Sequence, residues 1–182
     1  MQNIFKFIGV IIVFLIVFMV FTEEDKLDKS TNIIDSEENT IISNWNYSND
    51  EDKMSGEQQY FSSTTSINKI DFEFPYDGGS TFRLIIRNMG RGNEVLMIVS
   101  NGQFLTSITS SEKARIKLDG GSVLNYNFRS SNDGSVDVIF FNSSNKLISA
   151  LKTSKKIMIE VPFYQAGRQI IYFDVEGLIW DK

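Results

Sequence analysis

The sequence predicts an all-β protein, a single antiparallel β-sandwich or barrel-like domain behind one N-terminal transmembrane helix. Three observations support this prediction. An apolar run without charge occupies residues 7–21. Later stretches alternate apolar and polar residues with the period of two that is typical of strands. Turn signals rich in Gly, Asp and Asn separate these stretches, as in sandwiches and barrels. We expect a membrane anchor over 1–21, an acidic flexible tether over 22–43 and the β-domain over 44–182.

The apolar run is long enough to span a membrane. It extends over residues 4–21, where Lys6 is the only charged residue, and a helix needs about 17–25 apolar residues to cross the hydrocarbon core. Lys6 lies one turn from the end, so its stem can reach the headgroups. A cleaved signal peptide is the alternative. However, the run ends Val-Phe-Met-Val-Phe-Thr-Glu-Glu, without the small residues of a cleavage site. We therefore expect an uncleaved signal anchor.

The flanking charges say little about orientation. Lys6 and the amino terminus precede the run, whereas Lys26 and Lys29 follow it, and the positive-inside rule counts both sides. Because the tail before the run is short, we expect the N-terminus to stay in the cytoplasm. The folded domain would then lie outside the cytoplasm.

The net charge of −5 is unevenly distributed along the chain. Residues 22–40 carry seven acidic residues and two lysines, which leaves the β-domain close to neutral. A nucleic-acid-binding protein needs a clustered basic face. We therefore expect no nucleic-acid partner.

The composition also excludes several kinds of active site. The chain contains no histidine and no cysteine, which removes Ser-His-Asp and Cys-His nucleophiles, the usual zinc sites and disulfides. The sequence has neither a P-loop nor a dinucleotide fingerprint. We expect no catalytic residue, no metal and no small-molecule cofactor.

The alternating stretches define the predicted strands. In residues 95–99 both faces are apolar, which favours a central strand, whereas residues 114–118 alternate with Lys and Arg and favour one solvated face. Asp-Gly-Gly-Ser occurs at residues 77–80 and 119–122, which we interpret as two turns. The predicted strands are 82–87, 95–99, 114–118, 136–141, 157–161 and 170–175, with one short helix over 148–155.

Two kinds of residue pair remain as chemical candidates. Asp71 and Glu73 flank Phe72, and we expect both carboxylates on the solvent side of a strand. A carboxylate pair for glycoside hydrolysis has no local motif, so the sequence leaves that alternative open. Ser-x-x-Lys recurs too often in this Ser-rich chain to predict a Ser-Lys dyad. It occurs at residues 66–69, 110–113, 143–146 and 149–152.

The aromatic residues are the most individual feature of the domain. Trp45 and Tyr47 open it, Trp180 closes it, and residues 72–76 read Phe-Glu-Phe-Pro-Tyr. One interpretation is a platform for a carbohydrate or a peptide. We favour the other, in which Trp45 and Trp180 are core residues that tie the two ends of the domain together.

Several short motifs carry a resemblance to known proteins. They are Trp45-x-Tyr47, Asp52-x-Met54, Ser66-x-Asn68, Phe74-Pro75-Tyr76, Leu84-x-x-Arg87, Gly102-Gln103-Phe104 and Gly177-Leu178-x-Trp180. In these motifs the chain resembles uncharacterised bacterial envelope proteins that are membrane-anchored or lipoprotein-like and all-β. Residues 45–105 are also distantly similar to the type VI secretion accessory family, although the cysteines often found there are absent. The resemblance supplies no catalytic residues. It implies the bacterial inner (cytoplasmic) membrane, with the domain in the periplasm or outside the cell.

From these observations we expect a non-enzymatic, membrane-anchored envelope protein. Its extracytoplasmic β-domain would bind a protein or another envelope component. The alternatives are a carboxylate-based hydrolase that acts on envelope glycans, and an envelope inhibitor or immunity protein. The sequence does not identify the residues of the binding surface.

Overall fold

The structure, a computed structural model, describes residues 32–34, 41–106 and 113–182. The predicted anchor lies outside these residues, and within them no helix is long and apolar enough to cross a membrane. The elements are β1 (Asn32–Ile34), β2 (Ile41–Ser43), β3 (Asn46–Glu51), β4 (Gln58–Thr65), β5 (Phe82–Asn88), β6 (Asn93–Val99), β7 (Lys113–Leu118), β8 (Leu124–Ser130), β9 (Val138–Phe141), α1 (Ser144–Leu151), β10 (Lys156–Phe163) and β11 (Gly167–Asp174).

Nine strands form one antiparallel sheet in the order β11-β10-β7-β8-β9-β6-β5-β4-β3. The predicted all-β antiparallel class is therefore confirmed. Within the described residues the sheet is open and does not close into a barrel, because β3 and β11 remain at its two ends. β1 and β2 pair separately, so that the isoleucine pairs of the predicted tether face each other, Ile33 with Ile42 and Ile34 with Ile41.

Strand β8 changes its pairing partner partway along its length. Residues 124–127 pair with β7, and residues 128–130 pair with β9. Strand β8 thereby joins a set of three strands, β7, β10 and β11, to a set of five. The inward side chains of both sets meet in one large apolar core, to which β8 contributes Tyr126 and Phe128.

Helix α1 closes one side of this core. It buries Leu147, Ile148 and Leu151 and contacts β6. The prediction of a helix over 148–155 placed it four residues too late. The helix ends earlier because the hydroxyls of Thr153 and Ser154 both donate to the Ala150 carbonyl, which competes with a further helical turn.

The predicted strands are recovered to different extents. β5, β6, β7, β10 and β11 lie where the alternation predicts them, and β6 is an interior strand, as its two apolar faces indicate. β9 is shorter than the predicted strand over 136–141. The placement of Asp71 and Glu73 on a strand is wrong. The chain there forms a loop, which is bounded by an isolated bridge between Ile70 and Ser80.

Both tryptophans are buried, as the sequence predicts. Trp45 is 1% exposed and Trp180 is 5% exposed. The Trp45 indole donates to the Val175 carbonyl at 3.0 Å, and the Ser43 hydroxyl donates to the Gly177 carbonyl at 3.3 Å. These bonds join the start of the nine-stranded sheet to the segment that follows β11.

The edge of β11 is covered by the chain that follows β4. The Ile67 N–H donates to the Tyr172 carbonyl at 2.8 Å. The Asn68 carboxamide donates to the Ile170 carbonyl at 2.9 Å and accepts the Tyr172 N–H at 2.9 Å. An amide side chain has the donor and the acceptor of a peptide group, so Asn68 acts here in the place of a neighbouring strand.

A smaller apolar cluster lies on the opposite face of the sheet from the main core. It consists of Ile85, Leu96 and Phe140. Arg87 and Arg129 both lie over the Phe140 ring, at 5.2 and 4.4 Å from its centroid, and Glu94 pairs with both guanidinium groups. The charged groups of the two arginines and Glu94 thus lie beside this apolar cluster.

Candidate binding cleft

The candidate site is a cleft lined partly by aromatic side chains, which we call the aromatic cleft. It lies between the loop over residues 71–76 and the turn that joins β10 to β11, and it has a volume of about 520 Å³. Its lining combines aromatic rings, carboxamides and carboxylates, which is a composition suited to binding a polar ligand with apolar faces. The lining residues are Asp71, Phe72, Glu73, Phe74, Pro75, Tyr76, Gln103, Tyr164, Gln165, Ala166 and Gln169.

A reverse turn forms the first wall of the aromatic cleft. The Tyr76 N–H donates to the Glu73 carbonyl at 3.0 Å, and the Phe74–Pro75 peptide bond within this turn is cis. The turn presents Phe74 to solvent with 85% of its surface exposed. The flat apolar faces of its ring are therefore accessible to a ligand.

The base of this wall is anchored in the core. Phe72 is buried, and its ring centroid lies 5.0 Å from that of Phe163. Gly102 has a φ of 156°, and a Cβ at this position would lie 2.9 Å from the Phe72 ring. Glycine is therefore needed at residue 102 to let Phe72 approach the backbone.

The second wall is the turn between β10 and β11. The Tyr164 N–H donates to the Gln103 carbonyl at 2.9 Å, which fixes the turn to the preceding loop. Tyr164 is 49% exposed. The Gln165 carboxamide donates to the Tyr164 hydroxyl at 3.3 Å, and that of Gln169 donates to the Ala166 carbonyl at 2.7 Å. Each carboxamide keeps an oxygen that can accept a hydrogen bond from a ligand.

The charge of the cleft is acidic. Asp71 and Glu73 supply its carboxylates, and none of its described lining residues is Lys or Arg. Both acids belong to the same wall, whereas the described residues of the opposite wall are Tyr, Gln and Ala. A glycosidase needs two carboxyl groups on either side of the scissile bond. The charge of the lining favours a neutral or positively charged ligand. Two carboxylates on the same wall do not give the facing pair that a glycosidase uses.

The other sequence candidates lie outside the cleft. Trp45 and Trp180 are in the core. The Ser66 hydroxyl donates to the Asn68 carbonyl, and that of Ser149 to the Asn145 carbonyl, so neither donates to the lysine of its Ser-x-x-Lys motif. Ser110, in a third copy of that motif, lies outside the described residues.

The two Asp-Gly-Gly-Ser segments have different roles. The Asp119 carboxylate accepts the N–H groups of Lys155 and Lys156, at 3.0 and 2.8 Å, and this segment is the turn between β7 and β8. The segment over 77–80 instead closes the loop that carries the cleft, where the Asn101 carboxamide donates to the Asp77 carbonyl at 3.4 Å.

Sequence reasoning identified one wall of the cleft and missed the other. The run over 72–76 stands out for its aromatic residues, but nothing in the sequence marks Tyr164, Gln165 or Gln169. Gln103 appeared only within a motif of the resemblance. These residues are brought to the cleft by strand pairing between distant parts of the chain, which includes the bridge between Phe104 and Phe163.

The comparisons with known proteins assign no family. No family model matches the chain, and no curated protein matches it either, so the resemblance to the type VI secretion accessory family stays a prediction. Among solved structures, the chain has a distant likeness to the crystal structure of invasion associated protein B from Bartonella henselae. The TM-score is 0.42 and the identity is 15%, over 74% of this chain and 86% of that chain.

Proposed function

We propose that the chain is a non-enzymatic, membrane-anchored protein of the bacterial envelope, and that its curved, sandwich-like β-domain binds an envelope glycan in the aromatic cleft. The observation that carries this proposal is the exposure of Phe74 beside a cleft lined by carboxamides and carboxylates. Aromatic rings offer flat apolar faces, and Gln, Asp and Glu offer the donors and acceptors that hydroxyl groups require.

Two features favour a saccharide over other envelope components. Phe74 and Tyr164 stand on opposite walls, so a sugar ring between them could contact either aromatic face. The described lining lacks a cation, which disfavours phosphate-rich ligands. A neutral or amino sugar fits both the charge and the hydrogen-bonding groups.

The location belongs to the same proposal. The apolar run over 4–21 would hold the chain in the inner membrane, and the acidic segment over 22–43 would separate the domain from the lipid.

Intact-mass measurement of protein extracted from membranes should return the full chain. A mature form that begins near Glu23 would contradict an uncleaved anchor.

Binding is tested with the full chain and insoluble glycans. Purified bacterial cell-wall sacculi and chitin should each retain the protein in sedimentation assays. Phe74→Ala and Tyr164→Ala should reduce retention by at least about ten-fold, a change equivalent to ~1.4 kcal/mol. Met54→Ala is the control, because Met54 is exposed and lies outside the cleft. Equal retention of all four proteins would contradict a role of the cleft.

The hydrolase alternative makes a different prediction for the same samples. A hydrolase that uses the cleft carboxylates would release soluble fragments from the sacculi, and Glu73→Gln would abolish that release. We expect no release by the parent chain. Release that depends on Glu73 would replace the binding proposal by an enzymatic one.

A further inference from the structure

The edge strand β3 is the most exposed element of the described sheet. All six of its residues are exposed, and β4 pairs with it on one side only. Its sequence, Asn-Tyr-Ser-Asn-Asp-Glu, contains neither proline nor lysine, two residues that commonly protect strand edges. The opposite edge strand, β11, is covered by Ile67 and Asn68, as described above.

The register shows which backbone groups of β3 are free. The Asp52 N–H donates to the Glu57 carbonyl, and hydrogen bonding alternates along an antiparallel pair. The even-numbered residues of β3 therefore bond to β4, and Tyr47, Asn49 and Glu51 direct their N–H and carbonyl groups away from the sheet. Asp50 accepts the Glu51 N–H at 2.8 Å. Within the described part of the chain, the N–H groups of Tyr47 and Asn49 have no acceptor.

An apolar groove lies beside this edge. It has a volume of about 400 Å³ and is bounded by β3, β4 and the segment that follows β11, whose Lys182 ammonium lies over the Tyr60 ring. The Tyr47 hydroxyl accepts the Ile179 N–H at 2.8 Å, which holds that segment against β3. Tyr47 and Asn49 lie on the same face as Tyr60, because Asn49 and Tyr60 are opposite each other in the register. An added strand would direct alternate side chains toward this groove.

The charge at the end of β3 selects among occupants. Asp50, Glu51 and Asp52 are consecutive, Glu57 lies across the hairpin, and Lys53 is the one cation between residues 46 and 58. A second copy of β3 would bring its own Glu51 to the side of the apolar groove and no lysine or arginine to Asp50, because β3 contains neither. A strand with apolar residues on that side and basic residues near Asp50 satisfies both requirements.

We propose that β3 is a strand-addition site for an extended segment of a partner protein. The added strand would be antiparallel, like every pairing in the described sheet. Its lysine or arginine residues would lie against Asp50 and Glu51, and its alternate apolar residues would enter the groove beside Tyr47. Strand addition draws affinity from main-chain hydrogen bonds and specificity from the pockets for alternate side chains.

The probe is a synthetic peptide that begins with two lysines and continues with alternating valine and threonine. Added to the full chain, it should slow hydrogen exchange at the amides of Tyr47 and Asn49. Asn49→Pro removes the central outward N–H while leaving the ladder to β4 in place. It should weaken binding by at least about ten-fold relative to Asn49→Ala, which changes the same side chain but keeps the N–H.

Several outcomes would overturn the proposal. Failure of the parent chain to bind the peptide would do so, as would equal affinities of Asn49→Pro and Asn49→Ala in proteins with matching melting curves. A peptide with glutamates in place of the lysines should bind at least about ten-fold more weakly, and equal binding would remove the charge argument. Self-association of the chain that Asn49→Pro abolishes would identify a second copy as the occupant instead.

Discussion

The two edge strands of the nine-stranded sheet differ in how their backbone groups are satisfied. At β11, the Asn68 side chain bonds to Ile170 and Tyr172, so that one residue replaces part of a neighbouring strand. At β3, the outward groups of Tyr47 and Asn49 have no equivalent cover within the described residues. Since an unpaired edge is a template for another chain, the difference indicates which end of the sheet is available for association.

The two edges also depend on different parts of the chain. The cover of β11 comes from residues 66–68, directly after β4. The support of β3 comes from the last residues, through the bonds of Trp45 to Val175 and of Tyr47 to Gly177 and Ile179. Substitutions in these two segments should therefore separate their contributions, and the following predictions run from the largest expected effect to the smallest.

Trp180→Ala should have the largest effect, because it removes the anchor of the segment that supports β3. Trp180 is buried and its indole donates to the Asn93 side chain at 3.1 Å. Removal of a buried Trp side chain costs about 3–5 kcal/mol, against about 5–15 kcal/mol for a whole domain. Denaturant unfolding measures this loss. Ile179→Ala is the control, because Ile179 is exposed. A Trp180→Ala protein that unfolds like the parent would contradict the structural role.

Asn68→Ala should open the covered edge at a smaller cost. It removes two hydrogen bonds to β11, worth about 0.5–1.5 kcal/mol each, and both are exposed, so water can replace part of the loss. We expect a destabilisation of about 1–2 kcal/mol and faster hydrogen exchange at the Tyr172 amide. Asn125→Ala is the matched control, because Asn125 is an exposed asparagine of β8. Unchanged exchange at Tyr172 would show that Asn68 does not protect this edge.

Tyr47→Phe should destabilise the open edge at β3 by less than Asn68→Ala destabilises the covered edge. Its hydroxyl accepts the Ile179 N–H at 2.8 Å and donates to the Gly177 carbonyl at 3.4 Å. The shorter bond is worth about 0.5–1.5 kcal/mol, and the longer one less. Thermal unfolding and exchange at the Ile179 amide measure the effect, with Tyr172→Phe as the matched control. If both variants behave alike, the hydroxyl of Tyr47 does not hold the terminal segment.

The sequence predicted most of the strands that carry the core, but it missed β8 and both strands of the open edge. β5 and β6 bury alternate or successive apolar residues, so their pattern is clear. β3 is exposed on both faces, and most of β4 consists of Gln, Ser and Thr. Alternation of apolar and polar residues arises when one face of a strand is buried. β3 and most of β4 therefore show no alternation in the sequence. β4 is instead placed by its pairing with β5, and β3 is placed by its hairpin with β4.

The cleft was predictable to the same limited degree. Residues 72–76 stand out in the sequence because three of the five are aromatic. Tyr164, Gln165 and Gln169 belong to an ordinary hairpin turn. Only the pairing of β10 with β11, together with the bond from Tyr164 to Gln103, brings them to the other wall. Contacts between distant residues cannot be read from local patterns.

Acid should loosen the tip of the open hairpin, and this is the smallest effect that we predict. The Asp52 carboxylate accepts the N–H groups of Met54 and Ser55, at 2.8 and 3.1 Å. These bonds favour the charged form and lower the pKa of Asp52 from its ordinary value of 3.8. A group with a lowered folded-state pKa stabilises the fold above its unfolded pKa. This contribution is lost as the pH falls through the folded value.

The amide chemical shifts of Met54 and Ser55 should therefore titrate together, with a midpoint below 3.8, and Asp52→Asn should abolish that titration. A midpoint at or above the ordinary value would mean that the carboxylate does not hold the turn, and the end of β3 nearest the acidic cluster would then be less ordered than its hydrogen bonds indicate.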